Sequence, residues 1–314
     1  MERFGAADAA RLLPARPLDM DKTDRGRVIV GGGSVNYPGA PILACLAALR
    51  SGGGVVTLLS IPSVCAACAS RLPEATQIVK DSGDWLEAAL AAGAHTGAHP
   101  TAAVVGPGLG RERPAMSFAV EMWRAWGSKS PLVMDADALY ALAASPERDS
   151  LPPRANAVIT PHEREAARLL SCSPEDVRRD RLGAARSLAD RWGCAMLKGS
   201  GTIVAAREPD LYGRGVFLTP LTPLTSLMEG EPELSVPGSG DVLAGCVGCF
   251  MAQGLSPFDA ACLGGTLHGI AGRLVRERRG LDGMLASELA DALPLAIEVL
   301  KSNAAHKGRE EFHC

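Results

Sequence analysis

The decisive stretch of the sequence is Pro237-Gly238-Ser239-Gly240-Asp241-Val242-Leu243-Ala244-Gly245. Three small residues lead directly into an aspartate, and an apolar segment follows to about Gly254. The pattern predicts a tight turn before a buried helix, where unpaired backbone N–H groups and the helix dipole favour an anion. A carboxylate would repel a bound phosphate, so Asp241 is better explained as a base for a hydroxyl that attacks the phosphate. The alternative is a glycine-rich turn in which Asp241 is only a helix N-cap.

Short apolar runs alternate with longer helical patterns along the chain. This alternation predicts an α/β fold, with a central, mostly parallel sheet and helices on both faces. Strands are predicted at Arg27–Gly31, Gly54–Leu59, Ala102–Gly106, Leu132–Asp135, Ala157–Thr160, Cys194–Lys198 and Thr202–Ala205. Helices are predicted at Pro41–Ser51, Pro114–Gly127, Arg164–Ser171, Val242–Gly254, Pro257–Arg276 and Ala286–Lys301. The last two strands are expected to pair across Gly199-Ser200-Gly201.

The pattern contains neither an internal repeat nor a linker, so we expect one domain over residues 1–301. The prolines and threonines between residues 207 and 236 predict a loop or lid. The polar residues 302–314 are expected to form a disordered tail.

The composition argues against several classes of protein. The 314 residues carry a net charge of −3, from 32 basic and 35 acidic residues, so we expect neither nucleic acid nor a membrane as a partner. Neither a membrane span nor a signal peptide is predicted, so we expect a cytoplasmic protein. The C-x-x-C pairs Cys65/Cys68 and Cys246/Cys249 lie in apolar sequence without a nearby histidine, which favours packing over metal binding or a disulfide.

Polar or glycine-rich residues follow five of the predicted strands. They occupy positions 31–34, 106–110, 135–137, 160–165 and 198–201. In open α/β sheets, ligands bind outside the carboxyl ends of the strands. These five strand ends and the Asp241 turn therefore predict one long cleft.

Seven motifs follow one another in a specific order. They are Gly32-Gly33-Ser34…Tyr37-Pro38-Gly39-Ala40, Gly106-Pro107-Gly108-Leu109-Gly110, Asp135-Ala136-Asp137-Ala138-Leu139, Thr160-Pro161-His162…Glu165, Leu197-Lys198-Gly199-Ser200-Gly201-Thr202, Gly238-Ser239-Gly240-Asp241-Val242-Leu243-Ala244-Gly245 and Leu267-His268-Gly269…Ala271-Gly272. In this order they make the chain resemble the ADP/ATP-dependent NAD(P)H-hydrate dehydratases of the ribokinase-like superfamily. The resemblance extends from about Gly26 to Gly272, and it rests on the order because each motif alone is weak.

The resemblance implies an enzyme that repairs nicotinamide cofactors whose reduced ring has taken up water. ADP or ATP, with Mg²⁺, would phosphorylate the ring hydroxyl of hydrated NADH or NADPH, and loss of phosphate would restore the cofactor. The match places the base at Asp241, which also contacts the substrate. It places an anion hole at the backbone N–H groups of Gly238, Ser239 and Gly240.

The remaining motifs take binding roles from the same resemblance. The implied residues are Ala40, Gly108 and His162 for the substrate, and Lys198, Gly199, Ser200, Gly201 and Thr202 for the nucleotide. The glycines permit close approach, and the Lys198 ammonium meets phosphate as a point charge. Each motif also has an alternative explanation. The glycine-rich segments could be ordinary tight turns, His162 could cap a helix, and Lys198 could be a solvated lysine beside a hairpin turn.

Carboxylates complete the implied site. Glu165 would order the water molecules around Mg²⁺. Its neighbour Glu163 is an alternative for this role. The other explanation is that both carboxylates are only solvated on the first turn of the helix. Asp135 and Asp137 would fix the cleft wall through hydrogen bonds, although Asp135 could also contact the metal.

The match fails just before the catalytic turn. The family pattern is roughly Gly-Asn-Pro-Gly-Met-Ala-Thr-Gly-Gly-Thr-Gly-Asp. This chain has Glu231 where the pattern has Asn and Glu233 where it has the Gly after Pro. It also has Pro237, which has no backbone N–H, just before the anion hole. The segment from Lys198 to Asp241 is also longer than usual. Two rival functions follow: a small-molecule kinase of the same superfamily that acts on a vitamin precursor or sugar-type substrate, and a nucleotide-binding member with weakened activity. We also expect a separate NAD(P)H-hydrate epimerase as the functional companion, and a homo-oligomer.

Overall fold

The computed structural model of the chain describes residues 2–17, 19, 21–22, 24–94, 99–199, 201–207, 217–219, 236–280 and 282–310. Within these residues the strands are β1 Glu2–Arg3, β2 Arg27–Gly31, β3 Val55–Ser60, β4 Thr76–Val79, β5 Ala102–Val105, β6 Leu132–Met134, β7 Ala157–Ile159, β8 Cys194–Leu197, β9 Thr202–Ala206 and β10 Phe217–Thr219. The helices are α1 Ala6–Arg11, α2 Gly39–Arg50, α3 Pro62–Arg71, α4 Trp85–Gly93, α5 Arg113–Ala125, α6 Asp137–Ala144, α7 Glu163–Leu170, α8 Pro174–Arg179, α9 Arg181–Trp192, α10 Ser239–Ala252, α11 Pro257–Arg279 and α12 Ala286–Glu310.

All the described strands belong to one sheet. Their order across it is β1-β10-β9-β8-β7-β6-β5-β2-β3-β4. Neighbours are parallel, except that β9 runs antiparallel to both β8 and β10. The predicted mostly parallel sheet is therefore confirmed, as is the pairing of β8 with β9.

Side chains of the central strands alternate between two apolar cores, as the two-residue period of a strand requires. In β5, Ala102 and Val104 contact the core formed with α2, α10, α11 and α12, whereas Ala103 and Val105 contact the core formed with α5, α6, α7 and α9. Helices thus cover both faces, as predicted. The C-x-x-C pairs are buried as free thiols in the first of these cores, so these cysteines act as small packing residues.

Helix α10 begins earlier than the sequence predicted. Its N-cap is Gly238, with φ of 90°, a conformation that favours glycine. Ser239 is the first helical residue, so Asp241 lies within the first turn. The alternative in which Asp241 is the N-cap is therefore wrong, and its carboxylate is not needed to cap the helix.

Glycines let α10 pass between a helix and the sheet. A Cβ on Gly245 would overlap the backbone oxygen of Ala44 in α2, and a Cβ on Gly248 would overlap Val104 in β5. Residues Val242–Ala252 are all buried. Close packing on two sides therefore fixes the helix whose first turn carries Asp241.

We expect Gly245→Ala to lower the free energy of unfolding by about 1–3 kcal/mol, because backbone atoms must move to admit the methyl group. Urea denaturation measures this change. Gly83→Ala is the matched control, since Gly83 is exposed and has no atom within 4 Å of an added Cβ. Equal stability of the two variants would contradict close packing at Gly245.

Two regions differ from the prediction. Helix α12 continues to Glu310, so the predicted helix end at Lys301 is wrong. Neither glycine nor proline follows Lys301 until Gly308, and the intervening residues do not stop a helix. Strand β10 lies inside the predicted loop of residues 207–236, while 208–216, 220–235 and 311–314 lie outside the described residues. None of the described helices is long and apolar enough to cross a membrane.

Candidate active site

Three predicted strand ends meet at Asp135. Its carboxylate oxygen Oδ1 accepts hydrogen bonds from Thr160 Oγ1 and from Lys198 Nζ, both at 2.7 Å. The backbone N–H of Lys198 also donates to the Pro161 carbonyl at 2.8 Å. These residues lie at or after the carboxyl ends of β6, β7 and β8. The three strands are adjacent and parallel, so their carboxyl ends share one edge of the sheet. The predicted convergence of strand ends is present here.

The Lys198–Asp135 ion pair is largely hidden from solvent. The exposed fractions of the two side chains are 19% and 2%. Burial would lower the pKa of Lys198, but Asp135 and Glu165 outweigh it and raise the pKa above its ordinary value. The lysine therefore carries a positive charge at neutral pH. A hairpin turn with a solvated lysine is excluded as an explanation of this position.

The ammonium group lies directly beside the turn that precedes α10. A Cβ built on Gly240 would be 3.2 Å from Lys198 Nζ, so the glycine permits this approach. The N–H of Ser239 donates to the Val236 carbonyl at 3.1 Å. Among the described residues, the N–H groups of Gly240 and Asp241 have no acceptor, and they are the donors left for an anion. The predicted anion hole therefore differs at Ser239, whose N–H the turn itself uses.

A buried histidine supports the same turn. His268, on α11, contacts the Ser239 carbonyl through Nε2 at 2.9 Å. Burial lowers the pKa of His268 to about 4, so the ring is neutral and Nε2–H is the donor. The sequence motif contained His268, but only the folded chain gives it this positioning role.

Asp241 has the electrostatic environment of a general base. Burial raises its pKa to about 7, and the neighbouring carboxylates of Asp135, Asp137 and Glu165 act in the same direction, against Lys198. A base with a pKa near the working pH has an effective combination of ionised fraction and proton affinity. The position and the pKa together suit the predicted role of Asp241.

Glu165 and Glu163 have different partners, which distinguishes their roles. Glu165 is buried at the cleft, its Oε2 accepts from the His162 N–H at 2.9 Å, and burial raises its pKa to about 7. Glu163 instead pairs with Arg181 at 2.8 Å and Arg178 at 3.3 Å. Glu163 is thus engaged in holding helices together, and Glu165 is the carboxylate that lines the cleft.

His162 caps helix α7. Its Nδ1 accepts from the Arg164 N–H at 3.1 Å, which places the ring proton on Nε2, 3.5 Å from Glu165 Oε1. Burial lowers the pKa of His162. The cap that the sequence left as an alternative is present. His162 is not among the residues that line the main cleft, which is the cleft bounded by Ala40, Gly108, Glu165 and Asp241 among others. Substrate contact through Nε2–H stays a prediction.

Ala40 and Gly108 lie together at the main cleft, whose volume is about 550 Å³. Gly108 has φ of 58°, and a Cβ on it would lie 3.0 Å from the Ala40 Cβ and overlap the Tyr37 backbone. Ala40, Gly108, Glu165 and Asp241 all line this cleft. The structure therefore brings two predicted substrate contacts next to the predicted base.

The predicted nucleotide-binding turn is held from behind by Arg181. Its guanidinium group donates to the carbonyls of Leu197, Lys198 and Gly201 at 3.3–3.4 Å. Gly201 has open space on its outer side. Thr202 is buried in β9, Gly199 packs against Arg181, and Ser200 lies outside the described residues. In the sequence, Arg178, Arg179 and Arg181 form a basic run that predicts a solvated helix face. This prediction is wrong for Arg181, whose side chain is 18% exposed and pairs with Glu163.

A strained residue orients two of the site carboxylates. Ala136 has φ of 49° and ψ of −119°, which is rare for a residue with a Cβ and costs about 1–3 kcal/mol. It separates Asp135, which binds Lys198, from Asp137, which accepts from the Gly110 N–H at 3.0 Å. The bend at Ala136 lets these two carboxylates bind different partners.

The site residues fit a divalent cation held partly by water and by a ligand. Four carboxylates, Asp135, Asp137, Glu165 and Asp241, act on one another around the single ammonium of Lys198. Among the described residues, His, Cys, Asp and Glu do not form a cluster of three that could hold a metal directly. Mg²⁺ suits this arrangement because it usually keeps several waters and binds one or two carboxylates together with phosphate oxygens.

We expect the stability of the protein without divalent cations to increase as the pH falls from about 8 to about 6.5. The folded-state pKa values of Asp241 and Glu165, about 7, exceed those of the unfolded chain, so the folded protein binds more protons in this range. Below about pH 6.5 the lowered pKa of His268 has the opposite effect, because the unfolded chain then binds the additional proton and the stability decreases as the pH falls. Urea denaturation across these pH values measures the slope. Asp241→Asn should reduce it and the exposed control Asp291→Asn should not; an unchanged slope in Asp241→Asn would contradict the raised pKa.

The fold defines a class of protein, the α/β proteins with the ribokinase-like fold. A solved ribokinase-like superfamily protein from Enterococcus faecalis V583 has a TM-score of 0.79 and 22% identity to this chain, and the match covers 95% of this chain and 96% of that one. A family model described as NAD(P)H-hydrate dehydratase matches residues 28–295. The chain belongs to the NAD(P)H-hydrate dehydratase family.

Individual relatives support this membership. The ADP-dependent (S)-NAD(P)H-hydrate dehydratase of Neisseria meningitidis serogroup B is 35% identical over 285 residues, covering 90% of this chain and 88% of that protein. The bifunctional NAD(P)H-hydrate repair enzyme Nnr of Escherichia coli K12 is 34% identical over 309 residues, covering 93% of this chain and 52% of that protein. The chain thus spans about half the length of the bifunctional relatives that it matches.

A solved structure adds information on ligands. It is the ADP/ATP-dependent NAD(P)H-hydrate dehydratase from Bacillus subtilis, co-crystallized with ATP and Mg²⁺. Its TM-score is 0.77 at 26% identity, and the match covers 95% of this chain and 98% of that one.

Proposed function

We propose that the protein catalyses the nucleotide-dependent dehydration of hydrated NADH and NADPH. The observation that carries this proposal is Asp241, a carboxylate with a pKa of about 7 at the start of a buried helix, beside free backbone N–H groups and the Lys198 ammonium. Family membership supports the choice of substrate. The relatives from Neisseria meningitidis and Bacillus subtilis are named for ADP and for ADP or ATP, which supports these nucleotides as the donor.

In the proposed reaction, Asp241 takes the proton of the ring hydroxyl as the hydroxyl oxygen attacks the terminal phosphoryl group. The bond from this group to the bridging oxygen breaks, which releases AMP from ADP or ADP from ATP. The N–H groups of Gly240 and Asp241, with Lys198, stabilise the negative charge on that group. A Mg²⁺ ion ordered near Glu165 would supply further charge neutralisation. The phosphate ester then loses phosphate from one ring carbon and a proton from the adjacent carbon, which restores the double bond of the reduced ring. Phosphate leaves more readily than hydroxide.

Binding roles follow from the same proposal. Ala40, Gly108 and the Nε2–H of His162 contact the hydrated nicotinamide ring, next to Asp241. The turn from Lys198 to Thr202, including Gly199, Ser200 and Gly201, and the turn formed by Gly238, Ser239 and Gly240 bind the nucleotide. Support comes from the positive φ of Gly199, Gly201 and Gly238, a conformation that favours glycine, whose lack of a side chain permits close approach of a ligand to the backbone.

The test is a spectrophotometric assay with purified protein, enzymatically hydrated NADH or NADPH, Mg²⁺, and ADP and ATP in parallel. We expect the absorbance of the reduced nicotinamide ring to recover only when a nucleotide is present. A stable phosphorylated product without recovery would favour the small-molecule kinase of the same superfamily. Nucleotide binding without either product would favour the member with weakened activity.

We also propose the setting in which the enzyme works. It is cytoplasmic, its residues 1–301 form a single domain, it assembles as a homo-oligomer, and an NAD(P)H-hydrate epimerase supplies the reactive epimer of the substrate. The described strands, from Glu2 to Thr219, form one sheet, and α10, α11 and α12 pack in a core with it, which supports the single domain. Light scattering of the purified protein tests the oligomer.

A further inference from the structure

Two arginines and a tyrosine share the main cleft with Asp241 and Glu165. The guanidinium carbon of Arg111 lies 4.1 Å from the centroid of the Tyr140 ring, and that of Arg168 lies 5.9 Å from the same centroid. The three residues come from different elements: the turn after β5, helix α6 and helix α7. The fold therefore assembles an aromatic ring with two cations in the cleft that holds the proposed base.

The charges of this cluster are only partly compensated. Arg111 Nε pairs with Asp137 Oδ1 at 3.1 Å, and its side chain is 56% exposed. Among the described residues, Arg168 has no carboxylate within ion-pairing distance. The face of Tyr140 offsets part of the repulsion between the guanidinium groups. Most of their N–H donors are left for a ligand, because each guanidinium group carries five.

Asp137 connects this cluster to the proposed substrate contacts. Its second oxygen, Oδ2, accepts from the Gly110 N–H at 3.0 Å, in the turn that also contains Gly108. The position of Arg111 is therefore tied to the turn against which the nicotinamide ring is proposed to lie. Asp241, this turn and both arginines line the same cleft, so one elongated ligand can contact all of them.

We propose that Arg111, Tyr140 and Arg168 form a subsite for phosphate groups of the dinucleotide substrate, an inference that rests on the proposed function. Guanidinium groups bind phosphate oxygens through two parallel N–H donors, and an anion between two cations removes their repulsion. The phosphate has two sources in the substrate: the pyrophosphate, which both hydrated cofactors carry, and the 2′-phosphate, which only hydrated NADPH carries.

The test compares Arg168→Gln and Arg111→Gln with Arg186→Gln, an exposed arginine on α9 that is outside this cleft. We expect Arg168→Gln to lower kcat/KM for the hydrated dinucleotide by about tenfold through KM, because charge-assisted hydrogen bonds are lost. The KM for ADP or ATP should stay unchanged. Arg168→Gln is the cleaner variant, since Arg111→Gln also removes the contact with Asp137.

The two substrates identify the phosphate. Equal losses with hydrated NADH and hydrated NADPH indicate the pyrophosphate, whereas a loss confined to hydrated NADPH indicates the 2′-phosphate. Unchanged kinetics with both substrates, an equal loss in Arg186→Gln, or an effect on the KM of the nucleotide instead would overturn the subsite.

A binding measurement separates this inference from the proposed function. NADH and NADPH are titrated into each protein and followed by their fluorescence, which requires no turnover. Weaker binding in Arg168→Gln than in Arg186→Gln supports the subsite even if the wild-type protein does not dehydrate the hydrated cofactors. Equal binding in both variants overturns the subsite while leaving a measured wild-type turnover intact.

Discussion

Asp241→Asn is expected to lower kcat by about 10²- to 10⁴-fold, the range associated with loss of a general base. The amide keeps the size of the side chain but cannot take the proton of the ring hydroxyl. Binding of nucleotide should persist, because the N–H groups of Gly240 and residue 241 belong to the backbone. The spectrophotometric assay gives kcat, and calorimetric titration with nucleotide gives the affinity.

The matched control for this variant is Asp259→Asn. Asp259 occupies the third helical position of α11, the position that Asp241 occupies in α10, and its N–H donates to the Ser256 side chain. We expect normal kcat in Asp259→Asn because this residue is outside the main cleft. More than a tenth of the wild-type kcat in Asp241→Asn would show that another group is the base.

Lys198→Met should cause the second large effect, a loss of about 3–5 kcal/mol in the free energy of unfolding together with loss of turnover. Methionine removes the cation that pairs with Asp135, and the carboxylate of Asp135 stays buried without its counter-charge. Chemical denaturation measures the stability. The double variant Lys198→Met/Asp135→Asn should recover part of it, because the amide no longer leaves a buried charge uncompensated.

An exposed pair of the same length provides the control. Lys301 Nζ lies 2.7 Å from Glu298 Oε1, and the two side chains are 45% and 63% exposed. Lys301→Met should change the free energy of unfolding by no more than about 0.5 kcal/mol, since solvent screens exposed pairs. Equal losses in Lys198→Met and Lys301→Met would refute the importance of burial at Asp135.

Three residues before the catalytic turn, Glu231, Glu233 and Pro237, differ from the family pattern. That they change nucleotide affinity stays a prediction. Pro237 is exposed and lacks an N–H, so it cannot add a donor to the turn. Glu231 and Glu233 lie outside the described residues. Comparing nucleotide affinity in Glu231→Asn and in the wild-type protein would show whether the added negative charge weakens binding.

The sequence by itself determined the α/β class, the strand ends at which the site residues lie and the glycine turn before α10, but not the residue at which that helix begins. Alternating apolar runs specify strands and helices, and polar residues after the strands specify the edge at which ligands bind. The Gly-x-Gly-Asp turn was recognisable because glycine is needed at the positive φ of Gly238. These signals are local, so a single sequence contains them.

The tertiary structure alone decided the charges and partners of the site. The pKa of Asp241, the choice of Glu165 over Glu163, and the capping role of His162 depend on burial and on charges far away in sequence. Arg181 and the cluster of Arg111, Tyr140 and Arg168 are brought to the site by packing between helices, which leaves no local motif. Electrostatic free energies depend on distance and solvent exposure, and only the folded chain fixes both.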